Sequence, residues 1–319
     1  MLTRRTVLGT GLVLAAPAIA QPAWPSGPIR LVAPFPPGGS VDAISRLLQP
    51  HLSAALGVPV VVENKAGATG TLGPATMAAT AKPDGYTISQ IPVTVLRLPY
   101  MQKTVFDPLK DFTYIIHVSG YVFGIAVMSD SPWKTWKELV AYAKENPGKL
   151  RYASPGAGGT QHLTMEELAR KHGIKWIHVP FKGAAETNAA LLGRHVEVLA
   201  GGASLGPLVD SGQVRMLNVW TEQRTPRFPN APTLLEEGEG IVSTSPYGIA
   251  GPKGMDPKVV KILHDAFKQA IDDPAHMKAI ETLTQPVIYK GTEEYNQFVK
   301  DTIAKERKLI EELGLKSSN

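Results

Sequence analysis

The 319-residue chain contains no cysteine. That excludes disulfides, zinc–thiolate sites and cysteine nucleophiles, and leaves an oxidising compartment neither demanded nor barred. Aromatic residues are scarce at 7%, and charged residues make up only 19%. The formal charge of +5 is a mild excess spread along the chain. Nucleic-acid binding needs a clustered basic face, so that class has no support. No apolar run approaches the about 20 residues that span a bilayer. The His-Glu-x-x-His zinc spacing, the Gly-Lys-Ser/Thr of a P-loop and the Gly-x-Ser-x-Gly elbow of a hydrolase are all missing. No spacing calls for a metal or a cofactor.

What is present is glycine (30), proline (27) and a 43% hydrophobic content, a globular composition with many tight turns. The N-terminus reads as an export signal over residues 1–20. It has a basic start with Arg4 and Arg5, an apolar stretch over 7–16, and a small-x-small site at Ala18-Ile19-Ala20. Thr3-Arg4-Arg5-Thr6-Val7-Leu8 also fits a twin-arginine motif, so two export routes stay open. The mature chain is expected outside the cytoplasm, in the periplasm.

After Trp24, short apolar runs alternate with helical periodicity. Residues 29–35 read as a buried strand. Ser40 can N-cap a helix with Val41, Ile44, Leu47, Leu48, Leu52 and Ala55 at helical spacing, ending at Gly57. Pro50 inside it predicts a kink or a break. Strands at 58–62 and 86–91 flank a Gly-rich loop at 64–73 and a small-residue helix at 74–81. This βαβαβ order predicts a parallel sheet with helices on both faces. Strands at 114–118 and 123–128 follow. Thr135-Trp136-Lys137-Glu138 is a capping box opening a helix over 136–145. A second βα series places strands at 150–153, 176–179, 196–200 and 214–220, with helices at 160–171 and 184–192. A strand at 247–250, a helix capped by Asp256, a strand at 287–289 and a helix over 293–313 close the chain. Two series with a late return predict an α/β protein of two lobes that the chain crosses more than once.

Two loops follow a strand and open a helix: Phe35-Pro36-Pro37-Gly38-Gly39-Ser40-Val41-Asp42, and Ser154-Pro155-Gly156-Ala157-Gly158-Gly159-Thr160-Gln161-His162. A helix N-terminus presents free N–H groups and partial positive charge, and glycines let an anion approach the backbone. One such loop per lobe favours a ligand held between lobes. Asp42 would repel a multiply charged phosphate but can fix its own loop. Ser154, His162 and Asp42 also contain the residue types of a hydrolase triad, so a secreted Ser/His hydrolase stands as the alternative. Turnover lost in Ser154→Ala would distinguish it. His178, at a strand end, reads as structural.

At these loops the sequence resembles the Bug family, the periplasmic solute-binding receptors of tripartite tricarboxylate transporters. The carrying motifs run in order along the mature chain. They are Trp24-Pro25, Pro34-Phe35-Pro36-Pro37-Gly38-Gly39 with Asp42, Val61-Val62-Glu63-Asn64-Lys65-Ala66-Gly67-Ala68, Pro83-Asp84-Gly85-Tyr86-Thr87, His178-Val179-Pro180-Phe181-Lys182-Gly183 and Tyr247-Gly248. The resemblance implies a two-lobed type II periplasmic-binding-protein fold, each lobe a mostly parallel sheet flanked by helices. Lobe 1 would be residues 24–121 plus 247–319, lobe 2 residues 122–246, with hinge strands near 123–128 and 247–250. It implies a non-enzymatic, cofactor-free monomer that takes a small carboxylate by hinge closure and serves large and small membrane transporter subunits. A sensory or regulatory partner is the other possible destination. The ligand-contacting positions would be Pro37, Gly38, Gly39 and Asp42 in one loop, and Ser154, Gly158, Gly159, Thr160 and His162 in the other. Gly70 would stand in a third cleft loop, with Gly201 and Gly202 on the distal wall. The chain departs from the family pattern at Gly159, at 200–204 and at Ser245-Pro246-Tyr247, so its own specificity is expected there.

Overall fold

The computed structural model describes residues 24–282 and 285–315. The expected export signal lies outside the described residues. The elements in chain order are β1 (Ile29–Ala33), α1 (Ser40–Leu56), β2 (Val60–Asn64), α2 (Leu72–Thr80), β3 (Thr87–Ile91), α3 (Val93–Arg97), β4 (Phe112–Gly120) and β5 (Phe123–Met128). There follow α4 (Trp136–Glu145), β6 (Arg151–Ser154), α5 (Thr160–His172), β7 (Ile177–Pro180), α6 (Ala184–Leu192), β8 (Val198–Gly202), α7 (Gly206–Asp210) and β9 (Val214–Val219). The chain closes with β10 (Pro246–Pro252), α8 (Pro257–Asp272), α9 (Pro274–Thr282), β11 (Val287–Lys290) and α10 (Thr292–Leu313).

Local chemistry sets several of these boundaries. Thr135 accepts from the Glu138 N–H while the Glu138 carboxylate accepts from the Thr135 N–H, the reciprocal capping box that starts α4. Asp256 accepts from the Lys258 N–H ahead of α8, and Pro257 occupies its first turn. α1 runs unbroken through Pro50, contrary to the expected break. Pro50 and Arg46 are both exposed. Water can therefore satisfy the Arg46 carbonyl that the missing N–H leaves free, and the buried stripe of Ile44, Leu48 and Leu52 holds the helix together.

Six strands form one sheet in the order β11-β4-β10-β3-β1-β2, and five form a second in the order β7-β6-β8-β5-β9. β1 pairs in parallel with β2 and β3, as the βαβαβ pattern predicts, and β6 pairs in parallel with β7 and β8. β10 enters the first sheet antiparallel, between β3 and β4. The first sheet draws on residues 29–120 and 246–290, the second on residues 123–219, so the chain passes between the sheets twice.

Strand alternation feeds separate cores on the two faces of each sheet. In β5, Phe123, Ile125 and Val127 join one cluster, and Ala126 joins another with Leu191, Leu199 and Leu205. In the first sheet a register shift between Tyr114 and Ile116 of β4 exchanges the faces, so Ile116 and Val118 pack with Leu48 of α1 and Phe267 of α8, whereas Phe112 and Tyr114 pack with Met77, Leu96 and Tyr295. Fully burying one such side chain stabilises by about 1.5–3 kcal/mol, so these rigid layers hold the loops at the strand ends in place.

Candidate functional site

Three helices begin at one cleft. α1, α5 and α6 have Gly39, Gly159 and Gly183 as N-caps, each in extended conformation and none with a side-chain capping bond. A glycine cap cannot satisfy the N–H groups of the first turn, so those donors stay open. In each helix the third residue turns back instead. Asp42 Oδ2 accepts from Gly38 N, His162 Nδ1 from Gly158 N and Glu186 Oε2 from Lys182 N, all at 3.0 Å. Gly38 and Gly158 sit at φ +82° and +73°, a conformation that suits glycine and aims their N–H groups along this return. The loops are thus braced from behind while the first-turn N–H groups remain free in front.

The bracing groups are themselves held. Asp42, 5% exposed, also accepts from Arg46 Nε and Asn64 Nδ2, both at 2.9 Å. Burial alone would raise its pKa, but the bonds from Arg46, Gly38 and Asn64 outweigh that and hold the carboxyl below its ordinary value. Burial lowers the pKa of His162, which matches the neutral ring that its accepting Nδ1 requires. Its ring stacks on His178 at 4.1 Å between centroids, and His178 stacks in turn on Tyr152. Burial, and then His162, push His178 down to about 4.

The cleft holds about 810 Å³ of empty space, including the part open to solvent. Phe35, Pro36, Gly39, Pro92 and Val93 wall it on the side of the first sheet, with Gly159, Thr160, Ala184, Asn188, Gly201 and Gly202 opposite. Tyr121, Phe123 and Ser245 line it where the chain passes between the sheets. Two hydroxyls of the lining lack any partner among the described residues: Thr160 Oγ1, in a residue 4% exposed, and Tyr121 OH, in a residue 5% exposed.

The sequence-predicted residues fall into two groups. Gly39, Gly159, Thr160, Gly201 and Gly202 line the cleft. Gly38, Asp42, Gly158 and His162 make the bracing bonds, and Pro37 lies in the same turn as Gly38. Gly70 lies behind the wall, where a Cβ would meet Phe35 Cζ at 2.5 Å. Gly201 and Gly202 are also packing glycines, since a Cβ would meet Leu205 Cδ1 at 2.4 Å or the Val122 carbonyl at 3.0 Å. Ser154 is fully buried, and its Oγ lies 2.7 Å from His178 Nε2. The triad alternative paired Ser154 with His162; the structure pairs it with His178, behind the cleft wall.

Sequence reasoning did not assign to the site the third helix start, Lys182-Gly183-Ala184, or the wall residues Tyr121, Phe123 and Asn188, whereas Ser204 lies in the expected 200–204 stretch. The readable signal for the third was the repeated spacing of a capping glycine and a hydrogen-bond acceptor three residues on, shared by Gly39/Asp42, Gly159/His162 and Gly183/Glu186.

The two sides already touch. Thr69 Oγ1 donates to the Ala157 carbonyl at 2.8 Å, and Arg97 donates to the Gly158 carbonyl at 3.0 Å while pairing with Glu306 through two nitrogens. Ala68 and Thr69 take φ of +46° and +52°, a left-handed pair that costs about 1–2 kcal/mol per residue, at the point that reaches across.

This arrangement of two α/β sheets with a cleft between them is that of a periplasmic solute-binding protein. Residues 44–315 match the tripartite tricarboxylate transporter family receptor, and the chain belongs to that family of receptors. It is 50% identical over 302 residues to "UPF0065 protein in gbd 5'region" of Cupriavidus necator, covering 94% of this chain and 92% of that one. Among solved structures, periplasmic binding protein BugD superposes with a TM-score of 0.87 at 30% identity, covering 92% of this chain and 99% of that one. The R. palustris protein Rpa4515, solved with adipate, gives a TM-score of 0.86 at 25% identity, covering 91% and 98%.

Proposed function

We propose that this chain is a periplasmic receptor that captures a small carboxylate between two lobes and delivers it to the large and small membrane subunits of a tripartite carboxylate transporter. The lobes are residues 24–121 with 247–319, and residues 122–246; the strands at 123–128 and 247–250 serve as the hinge. The observation that carries this reading is the meeting of three glycine-capped helix starts at one cleft, each braced by its third residue so that first-turn N–H groups stay free. Hydrogen bonds to a charged group are worth about 1.5–3 kcal/mol each, and excluding water strengthens them. The adipate held by Rpa4515 supports carboxylate as the ligand class, and the family supports the transporter as destination.

In this cycle the head group docks on the free N–H groups around Gly39 and Gly159. Thr160 adds its hydroxyl. The bonds from Thr69 and Arg97 to the 157–158 loop hold the closed form together. No step needs a covalent bond, a metal or a cofactor. The test is a thermal-shift screen over small acids and their amides, followed by small-angle scattering on the hits. An acid at 100 times its Kd should add about 2.7 kcal/mol of stability and reduce the radius of gyration. Equal stabilisation by acid and amide, or capture without compaction, would refute it.

A further inference from the structure

We propose that the ligand is a monocarboxylate with an uncharged far end, an acid head followed by an apolar body; this rests on carboxylate capture in the cleft. Among the described residues lining the cleft, none is Asp, Glu, Lys, Arg or His. Favourable charge therefore comes only from the helix starts. Each contributes about +0.5 of an elementary charge, so three give about +1.5. Asp42 subtracts nothing net, because Arg46 balances it at 2.9 Å. Glu186 and its neighbour Lys182 are both exposed and of opposite sign, so together they add little net charge. The helix starts can meet one carboxylate head, and no cationic side chain among the described lining residues stands ready for a second.

The rest of the wall suits an apolar body. Tyr121 and Phe123 stack at 6.0 Å between centroids and 18° between planes, beside Phe35, Pro36 and Pro92. A second carboxylate would lose its water against these groups with no cation to meet it. A neutral polar group is admissible, because the Tyr121 hydroxyl has no partner among the described residues. This chain would thereby differ from the R. palustris relative that was solved with adipate.

The test is calorimetry on the intact protein with matched probes: hexanoate against adipate, benzoate against terephthalate, and hexanamide as the uncharged-head control. The expected result is that a monoacid binds and its diacid binds at least about a hundredfold more weakly. A smaller gap overturns the uncharged far end but leaves carboxylate capture standing. Hexanamide binding as tightly as hexanoate overturns carboxylate capture itself, and this inference with it. Failure of all four acids to bind at millimolar concentration overturns both.

Discussion

Replacing Thr160 by valine separates a binding role from a structural one. The Thr160 hydroxyl lies in the cleft wall at the first position of α5, nine-tenths buried and without a partner. Valine keeps the shape and the β-branch and removes only the oxygen. In the free protein the change removes an unsatisfied buried polar atom, so stability should hold or rise by up to about 1 kcal/mol. In the complex it removes one hydrogen bond to a carboxylate, worth about 1.5–3 kcal/mol. That converts to a roughly 10- to 150-fold rise in Kd. Calorimetry with the tightest acid of the screen reads the affinity, and urea unfolding reads the stability. A variant that loses stability yet binds unchanged would refute the assignment of Thr160 to the head site.

Three further perturbations probe the supports of the cleft. A Cβ at Gly39 would sit 3.8 Å from Ala184 Cβ, so Gly39→Ala should fold and bind within about tenfold of native; Gly39→Val adds bulk over the free N–H groups and should lose at least about a hundredfold in affinity by calorimetry. Asp42→Asn turns an acceptor of three bonds into a group whose amide cannot accept from Gly38, Arg46 and Asn64 together, and should cost about 2–3 kcal/mol in urea unfolding. His117 and His178 are pushed down to about 4, by burial first, from 6.5. Below pH 6.5 the unfolded chain therefore takes up protons that the folded chain refuses. Stability should be full above that pH and fall as the pH drops toward 4, with a shallower slope in His178→Asn.

Much of the fold was legible because period and punctuation agreed. The strand Phe123–Met128 and the helices Trp136–Glu145 and Ala184–Leu192 lie where alternation, the Thr135 capping box and Gly193 put them. Gly57 and Gly173 end their helices in the left-handed conformation that makes glycine a stop signal. Pro50 misled because its cost depends on whether water reaches the freed carbonyl, which no local pattern records. The short helices Val93–Arg97 and Gly206–Asp210 span too few residues to show a period. The two Gly-rich loops were readable as helix starts beside a cleft, since strand, glycines and helix start are contiguous in sequence. The wall was not. Tyr121, Phe123 and Asn188 come from separate elements, and each alone reads as ordinary core or helix; only 200–204 and Ser245 were expected at the cleft. Their neutrality, which bears on the ligand, was visible only in the short stretch 200–204.

In the proposed capture, free backbone N–H groups at the helix starts receive the carboxylate. Amide chemical shifts of the isotope-labelled, deuterated protein titrated with hexanoate test it most directly. The largest downfield proton shifts should fall on Ser40, Val41, Thr160 and Gln161, and hexanamide should leave those amides in place. Saturation by hexanoate with those four amides unmoved, and the large shifts elsewhere, would contradict it.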